Sequence, residues 1–168
     1  EAQELLFGET GTRWRIITKF DSRAAALADR HYSRRKAGSS QFMPPGQTLI
    51  LWCPDLAVFG WWRPHPDSGL KSMNGLDGWT CTIFRNESSL LSSELILEAE
   101  RVLRDQNLGC GPDGLITYVW DNKVRSTNKG YCFKRAGWKT RGGLKTAGRQ
   151  GLASDGNNPL RDVQGVTG

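Results

Sequence analysis

The stretch from residue 79 to residue 120 constrains the fold more than any other part of the sequence. It begins with Trp79–Arg85, a run of β-branched and aromatic residues that is typical of a strand. A long amphipathic helix is predicted over Ser93–Asp105, and its apolar stripe consists of Leu95, Ile96, Ala99, Val102 and Leu103. Glycines after the helix end it, and Leu115–Trp120 is apolar enough to lie inside a sheet. Strand, long helix and strand in this order indicate an α/β domain.

A strand and a helix are predicted before this unit. Trp14–Phe20 has the composition of a strand. Asp21 and Ser22 are candidate N-caps of a helix that we expect to end near Ser33. The predicted apolar face of this helix consists of Ala24, Leu27, Ala28 and His31.

Further elements lie on either side of the central unit. Thr48–Cys53 and Ala57–Arg63 are predicted to form a hairpin around a short turn. Asn128–Ala136 is predicted as a short helix, after which Gly137 and Trp138 begin a last strand. The predicted order is therefore β-α-β-β-β-α-β-α-β, in one domain over residues 1–141. Residues 142–168 are rich in glycine and poor in apolar residues, so we expect an extension lying along the surface.

Composition excludes several classes of protein. The chain has 168 residues, of which 38% are hydrophobic, so it can bury a core and is too apolar to be disordered. No apolar run approaches the ~20 residues of a transmembrane helix, and residues 1–6 do not resemble a signal peptide. We therefore expect a cytoplasmic protein with no membrane partner. None of the four cysteines forms a C-x-x-C pair, so neither a metal site nor a disulfide framework is predicted.

The charge of the chain favours a polyanionic partner. Its formal net charge is +6, and lysine and arginine side chains that neutralise phosphates release condensed counterions. A compact basic run contains Arg34, Arg35 and Lys36, and more basic residues crowd the C-terminal third. We predict that these three residues contact double-stranded DNA. The alternative is that they form an ordinary solvated face.

The order of elements resembles the GNAT acyltransferase fold. A second similarity is the segment from Lys134 to Trp138, since GNAT proteins end a short helix with glycine and an aromatic residue. The resemblance implies a mixed, twisted sheet with splayed central strands, flanked by helices. It also implies an acyl donor in the gap between those strands. The donor's phosphates would lie at the N-terminus of the long helix, where backbone N–H groups and the helix dipole favour anions.

Two departures from the usual GNAT pattern direct the comparison to one branch. The segment from Arg85 to Ser93 contains no glycine, although GNAT enzymes usually have glycines in this turn. Phe133 stands where they commonly place a tyrosine that protonates the leaving thiol. The chain is more similar to the Mom family of phage DNA-modification proteins. The matching segments are His31-Tyr32-Ser33, Ser92-Ser93, and Trp120-Asp121 with Asn128-x-Gly130 and Ala136-Gly-Trp138.

The Mom resemblance implies an exocyclic amine of a DNA base as acceptor, in a bacterial or phage-infected host cytosol. It leaves the donor open between acetyl-CoA and an aminoacyl-type donor. His31 and Tyr32 are implied to line the acceptor pocket, with His31 as a base, and Asp121 is a candidate catalytic carboxylate. The alternatives are a histidine at the edge of the core and an aspartate that caps a turn.

The donor-binding residues are predicted on two segments. Ser92 and Ser93 are expected to cap the long helix and to hold a donor anion at its start, with Arg85 nearby. Ser126 and Asn128 occupy the place where GNAT enzymes bind the pantetheine arm. The leading hypothesis is a DNA-modifying transferase. The alternatives are an N-acetyltransferase acting on a small amine or a protein, and a non-catalytic nucleic-acid-binding module.

Overall fold

A computed structural model describes residues 10–18, 20–29, 43–54, 56–65, 78–109, 111, 113–120, 130–140 and 149–154 of the chain. The described part is a mixed α/β fold, as predicted. Its elements are β1 (Arg15–Ile17), α1 (Ser22–Ala28), β2 (Gln47–Cys53), β3 (Ala57–Arg63), β4 (Trp79–Asn86), α2 (Ser92–Asp105), β5 (Leu115–Trp120), α3 (Tyr131–Arg135), β6 (Lys139–Thr140) and β7 (Arg149–Ser154). No helix in these ranges is long and apolar enough to cross a membrane.

The strands form one seven-stranded sheet in the order β1-β2-β3-β4-β5-β7-β6. The predicted hairpin of β2 and β3 is confirmed, with Cys53 paired to Ala57 next to the turn. Every neighbouring pair is antiparallel except β4 and β5, which are parallel and connected through α2. A parallel pair needs a crossover connection, and the long amphipathic helix predicted from the sequence is that crossover.

The parallel pair is joined only at the start of its two strands. The register between β4 and β5 runs from Trp79↔Leu115 to Cys81↔Thr117 and covers three residue pairs. Beyond this point β4 remains paired with β3 as far as Asn86, and β5 remains paired with β7 as far as Trp120. The facing edges of the two C-terminal halves are therefore not paired with each other. We call this unpaired stretch the β4–β5 gap.

A β-bulge lies where the gap begins. Gly60 pairs with Ile83 and Trp61 pairs with Cys81, so Thr82 has no partner on β3. The extra residue reverses the alternation of side chains along β4. Cys81 and Phe84 consequently belong to the core on one face of the sheet, whereas Ile83 belongs to the core on the other.

The two faces of the sheet are covered by different helices. α2 and α3 cover one face, and the predicted stripe of α2 is buried there, with Ile96 and Val102 fully inaccessible. The indole N–H of Trp14 donates to the Leu95 carbonyl, and Arg13 pairs with Glu94 and Glu98, so the chain before β1 is attached to α2. α1 covers the other face, where it buries Ala24, Leu27 and Ala28 against Met43, Ile50, Trp52, Val58 and Ile83.

Several predicted ends of elements need correction. Asp21 is the N-cap of α1, as predicted, and its side chain accepts from the Arg23 and Ala24 N–H groups. The predicted end near Ser33 is wrong, because α1 ends at Ala28. β1 is confined to Arg15–Ile17 and α3 to Tyr131–Arg135, both shorter than predicted. Apolar periodicity identifies a face of an element but does not fix its ends.

The expectation of a surface extension beyond residue 141 does not hold for Arg149–Ser154. These residues form β7, which pairs with β5 over its whole length and with β6 on its other side. Leu152 is fully buried in the core beneath α2 and α3. The segment Arg-Gln-Gly-Leu-Ala-Ser has one large apolar side chain, so it lacks the pattern from which strands are predicted.

Candidate functional site

The candidate site is built around the end of β4 and the start of α2. Asn86, the last residue of β4, shapes the connecting loop with its side chain. Its Nδ2 donates to the Leu90 carbonyl at 2.8 Å and to Ser92 Oγ at 2.9 Å. Its Oδ1 accepts from the N–H and the hydroxyl of Ser88. An asparagine that bonds the backbone in this way closes a tight turn without glycine.

The structure corrects the predicted capping role of the two serines. Leu91 is the N-cap of α2 and has no side-chain capping bond, so Ser92 and Ser93 are the first two residues of the helix. Ser92 Oγ instead accepts from Asn86. Among the residues that the structure describes, none accepts a hydrogen bond from the backbone N–H of Ser92 or Ser93. Both N–H groups belong to the positive end of a 14-residue helix.

Arg85 lies beside this loop, one residue before Asn86. Its Nε donates to Glu87 Oε2 at 2.9 Å, so the guanidinium is ion-paired with the loop. The loop is also bonded to the β2–β3 turn, because the Glu87 N–H donates to the Leu56 carbonyl at 2.9 Å. Of the predicted donor-binding residues, the structure describes Arg85, Ser92 and Ser93, with Arg85 bonded to Glu87 and Ser92 bonded to Asn86.

Apolar and weakly polar groups surround the closed end of the β4–β5 gap. The Thr117 hydroxyl donates to the Cys81 carbonyl at 3.2 Å across the last register pair. Phe84 lies on the half of β4 that is not paired with β5, and its ring contacts that of Phe133 in α3 with centroids 6.0 Å apart. Burial raises the pKa of the Cys81 thiol well above its ordinary value and also raises the pKa of Cys132. Both groups are therefore neutral thiols at physiological pH.

Phe133 has a structural role at the position where the GNAT pattern has a tyrosine. It is buried, and it packs edge-on against Trp138 at 4.9 Å as well as against Phe84. Tyr131, two residues earlier, is 55% exposed. Two residues of a helix are separated by about 200° around its axis, so Tyr131 does not take the place of the missing hydroxyl.

The indole N–H groups of the core reveal a residue that sequence reasoning did not select. Trp14, Trp61 and Trp79 donate to the carbonyls of Leu95, Ala99 and Gly109 at 2.8, 3.1 and 2.9 Å. The Trp138 side chain is as deeply buried, at 2% exposure, yet its Nε1 has no acceptor within the described part of the chain. From the sequence, Trp138 was only the closing aromatic of a family motif.

No family model, no curated protein and no solved structure matches this chain. Within the described ranges no three His, Cys, Asp or Glu side chains are grouped so that they could hold a metal ion.

The other predicted site residues lie outside the described residues. They are the candidate catalytic residues His31, Tyr32 and Asp121, the candidate donor-binding residues Ser126 and Asn128, and the candidate DNA-binding residues Arg34, Arg35 and Lys36. Asp121 directly follows the last residue of β5 in the chain. Its place after that strand therefore stays a prediction, which is based on its position in the sequence directly after Trp120.

Proposed function

We propose that this protein is a GNAT-like transferase that binds an acyl-coenzyme A type donor in the β4–β5 gap and modifies an exocyclic amine of a base in DNA. One observation carries the proposal. The single parallel pair among the described strands stops pairing at Cys81 and Thr117, and β4 then leads directly into the N-terminus of α2. An opening between two strands and a helix N-terminus at one sheet edge suit an extended ligand with an anionic end.

The start of α2 supports the donor half of the proposal. The Ser92 and Ser93 N–H groups have no acceptor among the described residues, and a donor phosphate is the type of group that such a helix end binds. The glycines of the usual GNAT turn are absent. The Asn86 side chain instead accepts a hydrogen bond from the Ser88 N–H and donates one to the Leu90 carbonyl. This gives the loop a compact conformation by a different route.

The end of β5 supports the acceptor half. Because β4 and β5 are parallel, their C-terminal ends lie at the same edge of the sheet. This is the edge where α2 begins, and Asp121 directly follows Trp120, the last residue of β5, in the sequence. An exocyclic base amine is a weak nucleophile, so a carboxylate or imidazole must take its proton as the bond to the thioester carbon forms. The carbon–sulfur bond of the thioester breaks in this transfer, and coenzyme A leaves as the thiolate. We assign the removal of the proton to Asp121 with His31, and Tyr32 to the wall of the pocket.

The charge of the chain supports DNA rather than a small amine or a protein as the acceptor. A net charge of +6 attracts a polyanion and favours its association at low salt. A base must leave the stack before a catalytic group can reach it, and basic side chains that contact phosphates would hold the surrounding strand during that step.

Nucleoside mass spectrometry of DNA from cells that express the protein tests the proposal. We expect an acyl-derived adduct on a base with the wild-type chain and none with Asp121→Asn. Asp105→Asn is the matched control, because Asp105 is an exposed aspartate at the opposite end of α2. It should modify DNA like the wild type. Unmodified DNA from cells with folded wild-type protein, or a full yield with Asp121→Asn, would contradict the proposed function.

A further inference from the structure

The buried indole of Trp138 differs from the other deeply buried indoles in one respect. Trp14, Trp61 and Trp79 all donate their N–H to a backbone carbonyl. The Trp138 Nε1 is buried and has no acceptor among the described residues. A buried donor without an acceptor destabilises a fold, so an exception in an otherwise satisfied set calls for a physical explanation.

The neighbours of Trp138 place it beside the closed end of the β4–β5 gap. Its ring stacks on Trp61, with centroids 6.3 Å apart and an interplanar angle of 17°. Trp61 is the β3 partner of Cys81, the last residue of β4 that pairs with β5. Phe133 packs edge-on against Trp138 and also contacts Phe84, which lies on the half of β4 that is not paired with β5. The indole is therefore next to the point where β4 and β5 part.

We propose that Trp138 Nε1–H donates a hydrogen bond to a carbonyl oxygen of the acyl donor in the gap. The inference rests on the proposed function, since it requires a donor between β4 and β5.

The surroundings of the indole determine which part of a donor it can bind. The ring lies among Trp61, Phe133 and other apolar side chains, where a charged group would lose its hydration. A neutral carbonyl loses far less and gains a donor that is already dehydrated and fixed in place. The thioester carbonyl and the amide carbonyls of the pantetheine arm fit this description, and the phosphates do not.

Calorimetric titration with acetyl-CoA tests the contact. We compare the wild type with Trp138→Phe, which keeps an aromatic ring but removes the N–H. We expect Trp138→Phe to bind about tenfold more weakly, the usual scale for one hydrogen bond to a buried group. Trp79→Phe is the matched control. Trp79 is buried at the start of β4 and donates its indole N–H to the Gly109 carbonyl, so this substitution removes the same atoms as Trp138→Phe. It should lower stability and leave acetyl-CoA affinity unchanged.

Titration with CoA, which lacks the acyl carbonyl, identifies the acceptor. A loss confined to acetyl-CoA assigns the contact to the thioester carbonyl, and an equal loss for CoA assigns it to an amide of the arm. If the wild type binds and Trp138→Phe binds equally well, the Trp138 contact is rejected and the donor site stands. If the folded wild type binds neither ligand, the coenzyme A site and the Trp138 contact are both rejected.

Nitrogen-15 NMR of the wild type keeps the inference testable if Trp138→Phe does not fold. The indole N–H resonance of Trp138 is assigned through its proximity to the Phe133 ring. Forming a hydrogen bond deshields an N–H proton, so saturation with acetyl-CoA should move this resonance downfield and slow its exchange with solvent. A resonance that keeps its position and exchange rate in the saturated protein would overturn the proposal.

Discussion

Asn86 shows how one side chain can order a tight turn that contains no glycine. Glycine permits a tight turn because it lacks a Cβ atom, whereas Asn86 bonds the loop backbone at the Ser88 N–H and the Leu90 carbonyl. Its further bond to Ser92 Oγ connects β4 to the first turn of α2. A search for glycine in this loop therefore misses a loop that is ordered by other means.

At the same scale, Asp21 and Ser22 separate a true helix cap from its neighbour. Asp21→Ala should lower the free energy of unfolding at neutral pH by about 1 kcal/mol, because the N–H groups of Arg23 and Ala24 lose their acceptor. Ser22→Ala is the control and should change it by less than about 0.5 kcal/mol, since Ser22 is exposed and lies inside the helix. Urea denaturation measures both values.

The effect of Asp21→Ala should depend on pH in one direction. Hydrogen bonding from Arg23 lowers the pKa of Asp21 below its ordinary value, so folding favours the charged carboxylate. This contribution is fully present above the unfolded-state pKa of about 4 and is lost as the pH falls through the lowered folded-state pKa. The wild type and Asp21→Ala should therefore converge in stability in acid. A difference that is constant down to pH 2 would exclude the capping carboxylate as its cause.

At the scale of elements, segments with a strong pattern were predictable and segments shaped by their partners were not. The buried stripe of α2 and the hairpin of β2 and β3 follow from periodicity, because each buries a continuous apolar face. β7 has one large apolar residue, Leu152, and it is a strand because β5 and β6 lie on either side of it. The bulge at Thr82 likewise depends on register, which a single sequence does not contain.

The candidate site also contains features that the sequence predicts and features that depend on tertiary contacts. The N-terminus of α2 and the parallel arrangement that places the ends of β4 and β5 at one edge follow from the order of elements. The prediction that Ser92 and Ser93 cap the helix was wrong, because the N-cap is Leu91. Local sequence also does not reveal that the Ser92 hydroxyl accepts a hydrogen bond from Asn86. Trp138 was not predicted as a site residue, since an unsatisfied N–H is visible only once its neighbours are known.

The contribution of β7 is measurable through Leu152, whose side chain is fully buried. Leu152→Ala should lower the free energy of unfolding by about 2–5 kcal/mol, because it leaves a cavity between the sheet and α3. Lys139→Ala on neighbouring β6 is the control and should have little effect, since Lys139 is exposed. Chemical denaturation followed by tryptophan fluorescence gives both values. A Leu152→Ala protein as stable as the wild type would be incompatible with β7 as part of the core.

At the scale of the whole molecule, substitution of basic residues tests the proposed binding of DNA and its place on the chain. Replacement of Arg34, Arg35 and Lys36 by alanine should reduce the magnitude of the slope of log K against log salt by up to ~3. The variant would neutralise up to three fewer phosphates and would therefore release fewer counterions when it binds. The comparison variant replaces Lys134, Arg135 and Lys139, three basic residues at the end of α3 and the start of β6. Fluorescence anisotropy with a short duplex at several salt concentrations measures both slopes.

The two triple variants give opposite answers if DNA binds to one surface. A smaller slope for the Arg34, Arg35 and Lys36 variant alone assigns DNA binding to the basic run. A change confined to the Lys134, Arg135 and Lys139 variant moves the surface to the C-terminal third. Binding whose salt dependence is the same in all three proteins would rule out both assignments.

The position of β7 has a consequence for the synthesis of the chain. β5 and β6 leave the ribosome before β7 does, yet β7 is the strand that lies between them. At roughly 5–20 residues per second, one edge of β5 waits for seconds before its own partner exists. An open strand edge is a place where another chain can add. The nascent protein therefore exposes this edge to other chains from the time that Trp120 has emerged until Ser154 has followed.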